Sequence, residues 1–187
     1  MNQSLDFIPL IALPVAEGAA RAAGALVRRN FARPRPVLER KAHRYITETD
    51  HVSERVIATN LRAAYPRCKI VSQEGIKLPQ TDEQDNITWW VDPLDGTVNF
   101  VHGVPHFCIS IGCTDETGEV LVGVVYDPIM DELFAAVKGH GATMNGEPIQ
   151  VSRVEKLRDS LIASTYIDPQ AAAPGWTALA GRAQAAA

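Results

Sequence analysis

The chain has 187 residues, 46% of them hydrophobic and 21% charged, with 18 Lys and Arg against 22 Asp and Glu for a net charge of -4. That length suits one large domain or two small ones, each able to bury a core, and the composition excludes an intrinsically disordered chain. The basic excess that non-specific binding to nucleic acid needs is missing, and no apolar run reads as long enough to span a bilayer, so neither a nucleic acid nor a membrane is expected as a partner.

Leu10 to Phe31 carry Ala, Leu and Val around Arg21, Arg28 and Arg29, which predicts a helix opened by Pro9 or Pro14. Pro34 and Pro36 bar its continuation, and the charged stretch Glu39, Arg40, Lys41, His43, Arg44 reads as a solvated loop or edge strand. Thr49 and Asp50 stand where an N-cap belongs, because Val52, Val56, Ile57 and Leu61 follow at helical spacing until Tyr65 and Pro66. Short β-rich runs come next: Lys69 to Ser72, Ile87 to Val91, Phe107 to Cys113, Val120 to Tyr126 and Glu132 to Val137. Gly139, Gly141 and the turn dipeptide Asn145-Gly146 predict a hairpin joining Glu132–Val137 to Ile149–Val151. Ser152 with Glu155 reads as a capping box for a short helical turn. Two helices followed by a mixed sheet make an α+β or layered α/β fold. From about Asp168 to Ala187 the chain turns Ala-rich and loses periodicity.

Cys68, Cys108 and Cys113 are odd in number, form no CxxC pair and lie in or beside apolar runs, so they read as small core residues in a reducing, cytoplasmic setting. His102, His106 and His140 read as structural, and of Trp89-Trp90 one is expected in the core.

The chemistry concentrates in Trp89-Trp90-Val91-Asp92-Pro93-Leu94-Asp95-Gly96-Thr97-Val98-Asn99-Phe100-Val101-His102-Gly103. An apolar strand delivers two carboxylates, Asp92 and Asp95, with Pro93 turning the chain between them. Hard oxygen donors at that spacing suit Mg²⁺, which takes one or two carboxylates and leaves its other positions to water and substrate phosphate. Gly96 and Thr97 open a helix whose free N–H groups can receive a phosphate oxygen. Asp-Pro and Asp-Gly are also ordinary turn signals, and Asp95 could simply cap the helix behind it.

The longer string DPLDGTVNFVHG resembles the signature of the inositol monophosphatase family. Ile46-Thr47-Glu48-Thr49-Asp50 is similar to the family's VTxxD segment, and Ile70-Val71-Ser72-Gln73-Glu74-Gly75 sits where the family has its paired-glutamate strand. Gly103 to Gly112, Gly123 to Pro128 and Lys138 to Gly146 also resemble it, so the likeness covers residues 10–165 and leaves 166–187 as a tail without it.

The resemblance implies a layered α-β-α-β-α sugar-phosphatase fold, Mg²⁺-dependent hydrolysis of a phosphate monoester such as inositol 1-phosphate, and a homodimer. Carried over by position, Asp92 would bridge two metals, the Leu94 carbonyl would complete the first site and Asp95 would serve the second. Gly96 and Thr97 would hold the phosphate, while Thr97, supported by Asp50, would orient the attacking water. For Asp50 a plain capping role stands beside this one. Two cations about 3.5 to 4 Å apart would clamp the attacking and leaving oxygens.

Two departures are visible. Gln73 stands where the family has its metal-binding glutamate, with Glu74 matching the second glutamate, and an amide brings neither negative charge nor basicity. A slip that lets Glu74 take the role would, within a strand, turn its side chain to the opposite face. The family's later WDxAAG block, whose aspartate ligates the second metal, has no counterpart, because Trp176 is followed by Thr177 and Ala178. The expected fold is therefore this architecture with its C-terminal part missing. Sister activities on fructose bisphosphate, histidinol phosphate or a phosphoadenosine remain open, as does an inert binding or oligomerisation module.

Overall fold

A stripe of small residues shapes the first helix. In the computed structural model, which describes residues 8–41, 44–75 and 86–161, helix α1 runs Ile8–Phe31. Ala12, Ala16, Ala19, Ala20, Ala23 and Val27 recur along one face and are fully buried, the spacing expected of a core-facing helix. Gly24 lets α1 approach the sheet closely, since a Cβ there would come within 2.3 Å of the Tyr126 ring. Pro9 lies in the first turn, where a missing N–H costs nothing, and Pro14 lies inside the helix instead of opening it. By length and composition α1 could cross a bilayer, which corrects the expectation that no apolar run is long enough. Its alanines count as apolar yet are small, and here they serve contact with the sheet.

A separate antiparallel hairpin follows, β1 (Val37–Lys41) with β2 (Arg44–Thr47), pairing Arg40 with Tyr45. The stretch expected as a loop or edge strand is thus a two-stranded ribbon, its tip outside the described residues. Helix α2 spans Glu48–Ala64, ends at Tyr65 as expected, and packs on α1 and the sheet.

The main sheet has seven strands in the order β3 (Lys69–Ser72), β4 (Ile87–Asp95), β5 (Cys108–Asp115), β6 (Val120–Asp127), β7 (Glu132–Val137), β8 (Gly141–Met144) and β9 (Glu147–Ile149). Only β3 with β4 is parallel, so the sheet is mixed, as the sequence predicts. Two hairpins replace the expected one: Gly139 to Gly141 turns β7 into β8, and Asn145-Gly146 turns β8 into β9. Trp89, Ile111, Val122, Val124 and Leu133 face the helices and are buried, whereas Trp90 is 49% exposed on the other face and donates its indole N–H to Thr114 Oγ1 at 3.0 Å.

The chain divides into two units at Ile149 and Gln150. In the second, the described residues carry one 3₁₀ turn, Leu157–Asp159, with Lys156 at its N-cap, so Ser152 and Glu155 form no capping box. Residues 151–155 are irregular there. The Ala-rich tail lies outside the described residues.

Candidate active site

The site forms where β4 ends. Strand β5 pairs Ser110 with Asp92 and Cys108 with Asp95, so three steps on β4 face two on β5. The extra residue is a bulge built around Pro93, and it re-aims side chains that a regular strand would send to opposite faces. Helix α2 clamps the bulge, because Ser53 Oγ donates to the Pro93 carbonyl at 2.7 Å. Leu94 N–H in turn donates to Asp92 Oδ1 at 3.3 Å.

Asp50 is buried and saturated. Its Oδ2 accepts from Thr47 N–H at 2.8 Å and from Thr47 Oγ1 at 2.5 Å, and its Oδ1 accepts from Thr97 Oγ1 at 3.0 Å. Thr47 is the N-cap and Asp50 the third residue of a capping box, which moves the cap two residues ahead of the expected Thr49 or Asp50. Thr97 Oγ1 also lies 2.9 Å from the Leu94 carbonyl, so its single proton has two acceptors to choose from.

Helix α3 is short, Thr97–His102, and Gly96 enters it at φ +92°. A Cβ on Gly96 would stand 2.9 Å from the His106 carbonyl, so the turn that presents the Gly96 and Thr97 backbone admits only glycine. Phe31, Phe100 and Phe107 stack beneath it with centroids 4.9 to 5.7 Å apart. The His102 ring bonds the Val98 carbonyl at 2.8 Å, and the backbone carbonyl of His106 accepts from the Asn99 amide at 2.8 Å.

Gln73 and Glu74 come from the turn after β3. The strand ends at Ser72, and Gly75 N–H closes the turn on the Ser72 carbonyl at 3.1 Å. Strand logic, which would put Glu74 on the face opposite Gln73, therefore fails, and both residues line the same cleft with Leu94, Asp95, Gly96 and Thr97. That cleft has a volume of about 240 Å³. The orientation of Gln73 that satisfies both groups turns its amide nitrogen to Asp92, donating to the two carboxylate oxygens at 2.8 and 2.9 Å.

Negative charge accumulates here. Burial, reinforced by Asp95 and, more weakly, by Glu74 and Asp50, lifts the Asp92 carboxyl from its ordinary 3.8 to about 6, against the Leu94 N–H, which favours its charge. Such a set of hard oxygens, the Asp92 and Asp95 carboxylates and the Leu94 carbonyl, fits Mg²⁺ held by one or two carboxylates with most of its water retained. It does not make a cage, since no three His, Cys, Asp or Glu converge on one metal position among the described residues. Cys108 is a neighbour that sequence reasoning passed over: its Sγ is 3.9 Å from Asp95 Oδ2, and burial with Asp95 and Asp92 pushes its thiol up to about 12. Only the pairing of β5 with the bulge reveals it.

Residues 12–173 match the model of the inositol monophosphatase family. The chain belongs to that family. Inositol monophosphatase 1 of Solanum lycopersicum is 43% identical over 154 residues, which cover 81% of this chain and 56% of that protein. The Nus factor SuhB of Pseudomonas aeruginosa is 40% identical over 156 residues, 82% of this chain and 57% of that one. Among solved structures, the extragenic suppressor protein suhB from Bartonella henselae superposes with a TM-score of 0.71 at 34% identity, covering 78% of this chain and 56% of its own. The chain thus spans a little over half the length of these inositol monophosphatase relatives. Its mixed α/β fold is that of the family.

Proposed function

We propose that this chain carries the metal- and phosphate-binding part of a Mg²⁺-dependent phosphomonoesterase whose substrate is inositol 1-phosphate. Family membership and the name of the tomato relative support the substrate class. The observation that carries the reading is the Asp50–Thr97 hydrogen bond beside the Asp92–Asp95 bulge, which joins a buried carboxylate to a hydroxyl in the wall of the cleft.

Asp92, the Leu94 carbonyl and Asp95 would hold Mg²⁺, with Glu74 and Gln73 beside them. Bound there, Mg²⁺ would supply charge neutralisation for the phosphate and a lower pKa for water. The chain's own residues do the rest. The Gly96 and Thr97 N–H groups hold the phosphate at the turn. Asp50 Oδ1 accepts the hydrogen bond of the Thr97 hydroxyl, which leaves the Thr97 lone pairs to accept a hydrogen bond from the water and aim it. The setting is cytoplasmic, supported by three cysteines that form no disulfide among the described residues, and the assembly a homodimer.

Phosphate release from inositol 1-phosphate tests this, measured on the chain and on a fusion carrying the remaining part of the tomato relative. The fusion should turn over, and Thr97→Val should lower its rate by about 10²-fold, the usual loss when a proton-handling group is removed. A fusion indifferent to Thr97→Val would refute the reading. A second reading, an inert binding module, is favoured by the Gln73 amide on Asp92, and predicts no turnover in any form.

A further inference from the structure

We infer that the Gln73 amide is a latch on Asp92, which a cation must displace before it reaches that carboxylate. The parallel register that pairs Ser72 with Val91 brings the next residues, Gln73 and Asp92, side by side. Gln73 N–H donates to the Val91 carbonyl at 3.0 Å, which fixes the backbone, and the side chain then reaches both Asp92 oxygens at 2.8 and 2.9 Å. An amide nitrogen between two carboxylate oxygens offers partial positive charge and no lone pair of its own, so it satisfies the carboxylate in the way a cation does and competes with one for the space and lone pairs between the two oxygens. Gln73 lies at an exposed position, so the latch has solvent to swing into.

Position 73 thereby sets the sign of the interaction. A glutamate would repel Asp92 and call for a cation between the two. Glutamine closes the gap without one, and lowers cation affinity by occupying Asp92, over and above its missing charge. The inference rests on the proposed reading of Asp92 as a cation ligand.

Mn²⁺ binding to the chain, followed by loss of the free-ion electron paramagnetic resonance signal, separates the possibilities. Gln73→Met keeps the volume and removes the donor, and Gln73→Ala removes both. Each should bind Mn²⁺ about 10- to 100-fold more tightly than the parent, the scale of one hydrogen bond to a charged group. Gln73→Glu should gain more than either, and Asp92→Asn should abolish binding. Weaker or unchanged binding by both Gln73→Met and Gln73→Ala, with Asp92→Asn still silent, would overturn the latch while sparing the metal site. Binding indifferent to Asp92→Asn, or absent in every form, would overturn both. In EDTA, urea unfolding of Gln73→Met, Asp92→Asn and the double variant should show coupled effects; simple additivity would also count against the latch.

Discussion

The Asp50 carboxylate and the Thr97 hydroxyl meet at 3.0 Å although 47 positions of sequence separate them. The same carboxylate closes the capping box of α2, so one side chain fixes a helix start and the orientation of a hydroxyl in the cleft. Asp50→Ala should cost about 2–4 kcal/mol, since it strands the buried Thr47 N–H and hydroxyl and takes from Thr97 one of its two acceptors, against about 1 kcal/mol for Thr47→Ala, which loses the cap on Thr49 N–H and one donor to Asp50. Urea unfolding measures both. Equal losses would mean that Asp50 is a cap and nothing more.

Asp92 makes the stability of the cation-free chain depend on pH. Burial and Asp95 raise its carboxyl to about 6 when no amide donor holds the ionised form, so that such a folded state holds the proton more tightly than the unfolded one, whereas the Gln73 amide on Asp92 opposes the rise. Below about pH 4 both states are protonated and the group contributes nothing. As pH rises from 4 to 6 the unfolded chain ionises first, and stability falls until the full penalty is reached above 6. In a Gln73→Met background, which lacks that donor, Asp92→Asn should therefore melt higher than the chain that keeps Asp92 at pH 7.5 in EDTA, with the gap closing toward pH 4. Solvent at this half-buried carboxyl moderates the size of the gap and leaves its direction. A gap that holds constant from pH 4 to 7.5 would contradict this account.

Gly96 combines a left-handed backbone with a carbonyl 2.9 Å from where a Cβ would sit. Gly96→Ala should lose about 2–4 kcal/mol in urea unfolding, because strain and collision add. Gly118→Ala is the control, with a similar φ of +86° and open space around it, and should lose only about 1 kcal/mol. Similar losses at both positions would show that conformation alone decides.

The sequence made the bulge residues legible because Asp92, Pro93 and Asp95 are local signals, each with a chemical meaning that needs no tertiary context. The strands are readable for the same reason, with matching boundaries for β3 and β7, while β4 runs four residues past the expected Val91. The cap was misplaced by two residues, since Thr49 and Asp50 are good caps in isolation and only the reciprocal bonds between Thr47 and Asp50 choose among them. The contact of Gln73 with Asp92 and the approach of Cys108 to Asp95 depend on strand register, which alternation in one strand does not reveal. Glu74 shares the cleft with Gln73 because the strand ends at Ser72, so that alternation along it does not reach position 74. In α1 the small alanines made a core helix and a bilayer-spanning one look alike in composition.

The parallel pairing of β3 with β4 also bears on the order of assembly. From β4 to β9 each strand pairs antiparallel with its neighbour in sequence. Strand β3 joins that meander at its edge through four parallel pairs, and only with it do Gln73 and Glu74 reach Asp92. A short strand paired on one side only is held by fewer bonds than the strands inside the sheet and opens before them. Amide hydrogens of Ile70 and Val71 should thus exchange ahead of those of Ile111 and Val124. The cleft then exists only in molecules that have finished folding, and a half-folded chain would keep most of its sheet while presenting no site at all.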